Sequence, residues 1–359
     1  MVVGAVECRG FRNLVEARTE IAANVVVVHG PNGAGKTNLL EAIYFGLTGR
    51  SFRTGNDRDL IRYGEEGARV ELDLATRGSL LAALDRSGER RHLLSGRPLA
   101  GDAGERPLVS VFHPDRLQLV KGAPAHRRAH LDRLCGAIWP ARADLRRRFG
   151  RTLAQRNALV SRIRAGLGSV DSLPSWDERL AAEAAPLIEA RAEAVAALTK
   201  PFAELAEKLG LPKGEISYRP RAGEGGEELA AELAGRRAED LGRAYTSYGP
   251  QLDEVELRLA GKQLRRFASQ GQQRLALLAL LFSERAALLE AGRAAPLMLL
   301  DDVMSELDSA HRELLVSLLE GEGQSLISAT ETAHVPSTRA LRIEVSDGTL
   351  ITTPTLRAA

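Results

Sequence analysis

The stretch Gly30-Pro-Asn-Gly-Ala-Gly-Lys-Thr37 follows an apolar run of four valines, Val25 to Val28, and leads into a segment of helical character over 38–47. A strand that turns through glycines straight into a helix leaves few alternatives for the chain around it. The pattern predicts a nucleotide-binding loop. Successive backbone N–H groups and the positive end of the following helix wrap phosphate, and Gly33 and Gly35 let the backbone approach closely. Lys36 is expected to neutralise phosphate charge, and Thr37 to offer its hydroxyl to Mg²⁺. The expected ATP contacts are Gly30, Pro31, Asn32, Gly33, Ala34, Gly35, Lys36, Thr37 and Asn38.

A second element lies far downstream, where the apolar run 297–300 ends in Asp301-Asp302. Alone, such a run is an ordinary core strand. Together with the loop at 30–37 it predicts a buried strand that delivers Asp301 to the metal and leaves Asp302 to orient or deprotonate the water attacking the γ-phosphate. Lys36 and Asp302 are thus the candidate catalytic residues, with Thr37 and Asp301 as metal ligands.

About thirty residues before Asp301, Ser269-Gln-Gly-Gln-Gln273 opens an apolar helical segment over 275–289. By itself this is an N-capped helix. In the order loop, Ser-Gln-Gly-Gln-Gln, Asp-Asp, it resembles the signature motif of ABC-type ATPases, and Ser305-Glu-Leu-Asp308 resembles the loop that crosses their dimer seam. The resemblance implies that Ser269, Gly271, Gln272, Ser305 and Asp308 act in trans, on ATP held by a second copy. The superfamily's lobe-coupling glutamine has Gln118 as its candidate here, although several spacings fit.

With 359 residues, 44% hydrophobic and 27% charged, the chain suits two soluble domains with material for a large core. No uncharged apolar stretch reaches membrane-spanning length and no secretory leader is recognisable, so a cytoplasmic protein without a membrane role is expected. The two cysteines, Cys8 and Cys135, are isolated and read as buried or idle thiols rather than a disulfide or metal pair. Net charge is only +2, yet eleven arginines face two aspartates between His126 and Arg164. Such a cluster suits a phosphodiester backbone, with Arg127, Arg128, Arg142, Arg146, Arg147, Arg148 and Arg151 as candidate DNA contacts. A solvated helical face whose arginines pair with acidic stretches such as 178–207 fits the same residues. Sparse aromatic residues argue for binding through charge and duplex shape rather than base stacking.

Strands are expected over 2–7, 25–29, 69–76, 80–85, 108–112, 297–300, 325–328 and 341–345, with a hairpin around Gly261. From 125 to 209 the pattern is helical, with breaks expected at Pro140, 166–168, Pro174, Pro186 and Pro201. A further helix follows 223–226 and runs to 241. The fold class is therefore α/β: an ABC-type P-loop ATPase head, with a mixed sheet and flanking helices, built from 1–123 and 242–359. The intervening 124–241 form a mainly helical, Arg-rich inserted lobe. That insertion is short and proline-interrupted, unlike the long coiled coils of SMC-type ATPases.

Over nearly its whole length the chain resembles the RecF family, compact SMC-like ATPases of bacterial recombinational repair. The resemblance is carried by Phe11-Arg-Asn-Leu14, the loop continuing as Asn38-Leu-Leu-Glu-Ala-Ile43, Val111-Phe-His-Pro-Asp115, Arg127-Arg-Ala-His-Leu-Asp132, Ser269 to Arg274 and Asp301-Asp302. Two departures stand out: Gly249-Pro-Gln-Leu-Asp253 replaces the family's Gly-Pro-His-Arg-Asp, and Thr330 occupies roughly the place of a switch histidine. The resemblance implies a weak DNA-dependent ATPase acting as a switch in repair and replication-fork maintenance. ATP would drive a homodimer to close on double-stranded DNA or gapped junctions, slow hydrolysis would release it, and RecR and RecO would be partners in loading RecA. Two other classes remain open at this point, an ABC transporter subunit and a small-molecule kinase using the loop within one chain.

Overall fold

The computed structural model describes residues 2–99, 108–113, 117–222, 226–331, 335 and 339–353. Its contacts divide the chain into two compact units, Met1–Arg116 with Gly292–Ala359, and Leu117–Ala291.

In the first unit the valine run forms strand Val25–His29 inside a six-stranded sheet. The order is Thr349–Thr353, Leu341–Ser346, Val25–His29, Ser325–Ala329, Leu297–Leu300, Val109–Phe112. Neighbours are parallel except for the outer pair Leu341–Ser346 and Thr349–Thr353. Parallel strands are covered on both faces, which is why Leu297–Leu300 and Ser325–Ala329 are buried at every position. A second six-stranded sheet is antiparallel, ordered Ala17–Glu20, Val3–Arg9, Gly67–Leu74, Gly78–Asp85, Arg90–Leu94, Arg97–Pro98. Its strands 67–74 and 78–85 alternate between more and less buried positions, as expected where one face meets the core.

Helix Lys36–Thr48 packs against both sheets, touching strands 67–74 and 78–85 of one and 325–329 of the other. Apolar residues line more than one side of it, as a helix covered on both faces requires. Gly46 permits the close approach: a Cβ there would come within 2.7 Å of Leu72. The sheets are also joined by a polar clamp. Fully buried Gln324 accepts from the Val3 N–H at 2.8 Å and donates to the carbonyls of Val3 and Ile21 at 3.0 and 2.7 Å.

The second unit is mainly helical and carries a three-stranded sheet of Gly214–Arg219, Glu254–Leu259 and Lys262–Gln263. The hairpin around Gly261 forms as expected. Helix Gln270–Glu290 packs on the long helix Leu173–Lys208, and Glu254–Leu259 pairs with Gly214–Arg219. Residues 242–291 therefore fold with the insert, whereas the sequence pattern assigned them to the ATPase head. Cys8 and Cys135 are buried and free, and burial pushes both thiols up to about 12.

The prolines at 186 and 201 do not break the chain where the sequence suggested. Both lie inside one 36-residue helix, Leu173–Lys208, about 54 Å long at 1.5 Å per residue. Each proline is only partly buried, beside the stripe formed by Leu180, Ala184, Leu187, Ala194, Leu198 and Phe202. Tertiary packing of that stripe offsets the missing backbone hydrogen bonds. Pro174 occupies the first turn, where proline costs nothing. Of residues 223–226, the first three lie outside the described residues, and helices Gly226–Gly235 and Arg237–Arg243 follow.

Two buried guanidinium clusters hold this unit together. Arg156, fully buried, donates to Asp177 at 2.8 Å and to Asp240 and Thr246 at 2.7 Å each. Arg191 donates to both oxygens of Asp132, to the Pro250 carbonyl and to Asp253, between 2.7 and 3.0 Å. Its acidic partners raise the Arg191 pKa despite burial, while burial raises that of Asp253. Removing one member of such a buried set leaves a charge uncompensated. Asp240→Ala is expected to destabilise the protein by about 3–5 kcal/mol, against under about 0.5 kcal/mol for Glu232→Ala in the exposed Arg236–Glu232 pair; chemical denaturation of both variants measures the difference.

Candidate functional site

The loop at 30–37 leaves the carboxyl end of strand Val25–His29, the edge at which parallel sheets bind ligands. Gly30 has φ 147°, and a Cβ there would sit 2.1 Å from the Val345 carbonyl oxygen, so only glycine lets the loop leave the sheet here. Asn13 holds the loop from outside. Its amide donates to the carbonyls of Gly33 and Ala34 at 3.3 and 3.2 Å and accepts from Asn38 at 2.7 Å. Lys36 arches back over the loop and donates to the carbonyls of Gly30 and Pro31 at 2.8 and 2.9 Å. Burial holds its ammonium below the ordinary lysine pKa, opposed by the charges of Asp302 and Asp301. The side chain is thus confined to the face of the loop where phosphate would lie.

Asp301 comes from the strand two places away in the sheet. Its carboxylate accepts from the Thr37 hydroxyl, 2.8 Å from Oδ1 and 3.0 Å from Oδ2, and from Ser328 at 2.7 Å. Ser328 stands on the intervening strand and accepts in turn from the Asp302 N–H at 2.8 Å. Asp302 has φ 48°, an uncommon conformation for a non-glycine residue, and its side chain is exposed. Hydroxyl and carboxylate oxygens at this spacing are the donor set of a hard divalent cation, so the residues fit Mg²⁺. His113 also reaches this point, with Nε2 3.6 Å from Asp301 Oδ2. In the sequence it was only one letter of the Val111–Asp115 motif, whose Pro114 and Asp115 lie outside the described residues.

A further cluster was not legible in the sequence. Glu41, buried in the helix that follows the loop, is gripped by Arg12 through two bonds of 2.9 Å, by Arg53 at 3.2 Å and by Ser51 at 2.6 Å. Arg53 also donates to Asn38 at 2.7 Å. The motif Phe11-Arg-Asn-Leu14 thereby acquires a physical role: Arg12 neutralises Glu41 while Asn13 props the loop.

The remaining sequence candidates divide. Ser269 N-caps helix Gln270–Glu290 in a reciprocal box: its hydroxyl accepts from the Gln272 N–H at 3.2 Å, and its own N–H donates to the Gln272 side chain at 2.9 Å. Gly271 in the first turn would give a Cβ nothing closer than 3.9 Å, so nothing in the chain itself demands glycine. Asp308 caps Ser309–Leu319, accepting from the His311 N–H at 2.9 Å, and that bond holds its carboxyl below the usual range. Ser305 donates to the Asp302 carbonyl at 2.9 Å. Gln118 is exposed on the short helix Gln118–Lys121 of the other unit. In the altered segment Gly249–Asp253, the Gln251 amide donates to the carbonyls of Thr246 and Tyr248, at 3.3 and 3.0 Å. Thr330 follows strand Ser325–Ala329 and is partly buried.

Among the arginines, the structure corrects Arg127. It is 6% exposed and donates to Glu254 and to the Gly122 carbonyl, so it is a core ion pair and not a surface cation. Arg128 is half-buried on the Asp253 carbonyl, and Arg142 is paired with Glu193. Arg146, Arg147, Arg148 and Arg151 lie exposed on helix Leu145–Arg164. Arg146, Arg147 and Arg148 nonetheless pair with Asp132, Asp144 and Glu183, the last of these within the acidic stretch 178–207.

Among the described residues no helix is long and apolar enough to cross a membrane. Residues 2–89 match the model of the RecF/RecN/SMC N-terminal domain. The chain is 35% identical to the DNA replication and repair protein RecF of Heliobacterium modesticaldum, with 95% of each chain covered. It is 38% identical to the protein of that name from an Anaeromyxobacter species, covering 93% of this chain and 95% of the relative. Among solved structures it superposes on the recombination mediator protein RecF-ATP of the RecFOR pathway with TM-score 0.84 and 26% identity, over 98% of both chains. An Smc head bound to the C-terminal winged-helix domain of ScpA shares the fold at TM-score 0.59 and 19% identity. Its mixed sheet and helices are those of an SMC-like, ABC-type ATPase head, and the chain belongs to the RecF family.

Proposed function

We propose that this chain is an ATP-dependent DNA clamp of replication and repair, working as a homodimer that holds ATP between two copies. The observation that carries the reading is the division of its motifs. Thr37 and Asp301 meet within one chain at 2.8 Å, while Gly271 sits in the first turn of the signature helix with no use in its own chain. A glycine inside a helix costs about 1 kcal/mol relative to alanine, and close approach of a second copy's triphosphate supplies the reason for it. That helix end carries partial positive charge and unpaired N–H groups suited to the γ-phosphate. Phe267, two residues before Ser269, is 67% exposed and suits the same seam.

Within each site the loop N–H groups and Lys36 bind and neutralise the phosphates. Thr37 and Asp301 hold Mg²⁺, which when bound draws charge from the phosphate oxygens, and Asp302 takes the attacking water's proton or orients it. ATP favours the closed dimer only to the extent that it binds that state more tightly. Hydrolysis then reopens it, at a slow turnover suited to a switch. DNA contact is assigned to Arg146, Arg147, Arg148 and Arg151, of which Arg147 and Arg151 share one helix face at i, i+4. The RecFOR pathway named for a solved relative supports RecR and RecO as partners, and RecA loading at gapped junctions is the outcome that the family resemblance implies.

Ser269→Arg is expected to bind ATP as a monomer yet fail to pair, read by sedimentation with a non-hydrolysable analogue; a dimer of normal affinity removes the trans role. Asp302→Asn should retain ATP and lower turnover by at least about 100-fold, and a wild-type rate excludes Asp302 as the water-directing group. DNA affinity should fall steeply with salt, and the double substitution Arg147→Ala/Arg151→Ala should reduce the slope of log K against log salt by about 2. An unchanged slope moves the contact elsewhere.

A further inference from the structure

Strand Val109–Phe112 runs parallel to Leu297–Leu300 with Phe112 opposite Leu300, and the Asp301 N–H donates to the Phe112 carbonyl at 2.9 Å. The next residues, His113 and Asp301, therefore emerge side by side at the carboxyl edge of the sheet. The His113 ring is mostly buried, packs on Phe52 with centroids 5.3 Å apart, and brings Nε2 to 3.6 Å from Asp301 Oδ2. Thr37 Oγ1 is 2.8 Å from Oδ1 and 3.0 Å from Oδ2 of that carboxylate. Adjacent ligands on an octahedral ion with ~2.1 Å bonds lie about 3 Å apart. Hydroxyl, carboxylate and imidazole thus converge near ligand spacing.

We propose that His113 contributes an imidazole nitrogen to the divalent cation of Thr37 and Asp301, so that this site favours Mn²⁺ or Co²⁺ over Mg²⁺. This rests on the reading of the site as one for ATP and a cation. Mg²⁺ takes oxygen donors, whereas a nitrogen donor shifts preference toward first-row transition metals. His113 stands beside the Asp301 carboxylate. Phe52 fixes the imidazole plane, so little side-chain freedom is lost on ligation.

The test is pulsed EPR of the full chain with Mn²⁺ and a non-hydrolysable ATP analogue, prepared with natural-abundance or ¹⁵N-labelled histidine. The expected spectrum carries ³¹P couplings together with a strong nitrogen coupling that changes from ¹⁴N to ¹⁵N on labelling. Mn²⁺ should also displace Mg²⁺ about tenfold less well in His113→Gln. Phosphorus couplings without a histidine nitrogen overturn His113 as a ligand while the ATP-and-cation reading stands. Absence of both couplings overturns that reading and the proposal together. The isotope comparison uses the unmodified sequence and does not depend on the variant folding.

Discussion

The hydrogen bond from Thr37 to Asp301 joins residues 264 positions apart, and the architecture of the first unit is what makes it possible. Strand Leu297–Leu300 must return, after the entire helical unit, to a slot between Val109–Phe112 and Ser325–Ala329. Once there, the parallel arrangement brings His113, Asp301, Ser328 and the glycine loop out at one edge. Ser328 then fixes both acidic residues, one through its hydroxyl proton and the other through its oxygen. Mutual support of this kind costs little, because every buried polar group involved finds a partner.

A second constraint is charge. The loop helix carries Glu41 fully buried, and a lone carboxylate there would be prohibitive. Arg12 and Arg53 neutralise it and the Ser51 hydroxyl donates to it, all three from outside the helix. Strength of the nucleotide loop therefore depends on the turn after strand Val3–Arg9 and on the segment after the helix as much as on the glycines. The helical unit uses the same device at Arg156 and Arg191, and these arginines, like Arg127, are withdrawn from any surface role.

What could be read from the letters follows from how each element is buried. Val25–His29 and Leu297–Leu300 are covered on both faces and show as unbroken apolar runs, and the alternation in 67–74 and 78–85 betrays a one-sided sheet. Ala17–Glu20 and Arg90–Leu94 are short, polar and near the sheet margin, so no period marked them. Strands Gly214–Arg219 and Thr349–Thr353 were missed as well. The prolines at 186 and 201 misled because local propensity is overruled by packing along the helix. Loop motifs at the site were legible because phosphate chemistry dictates residue types at fixed spacing. The Glu41 cluster and His113 were not, since their partners meet only through tertiary pairing.

The central claim is a triphosphate shared by two identical subunits, each lacking what its neighbour provides. Lys36→Ala and Ser269→Arg damage opposite halves of that site, so mixing the two inactive variants tests it directly. Each mixed dimer would hold one site with an intact loop from one chain and an intact signature from the other, so ATPase activity is expected to return to as much as about half of the wild-type level for independent sites in a two-site dimer. No recovery, with both variants folded and mixed dimers present, would contradict the account.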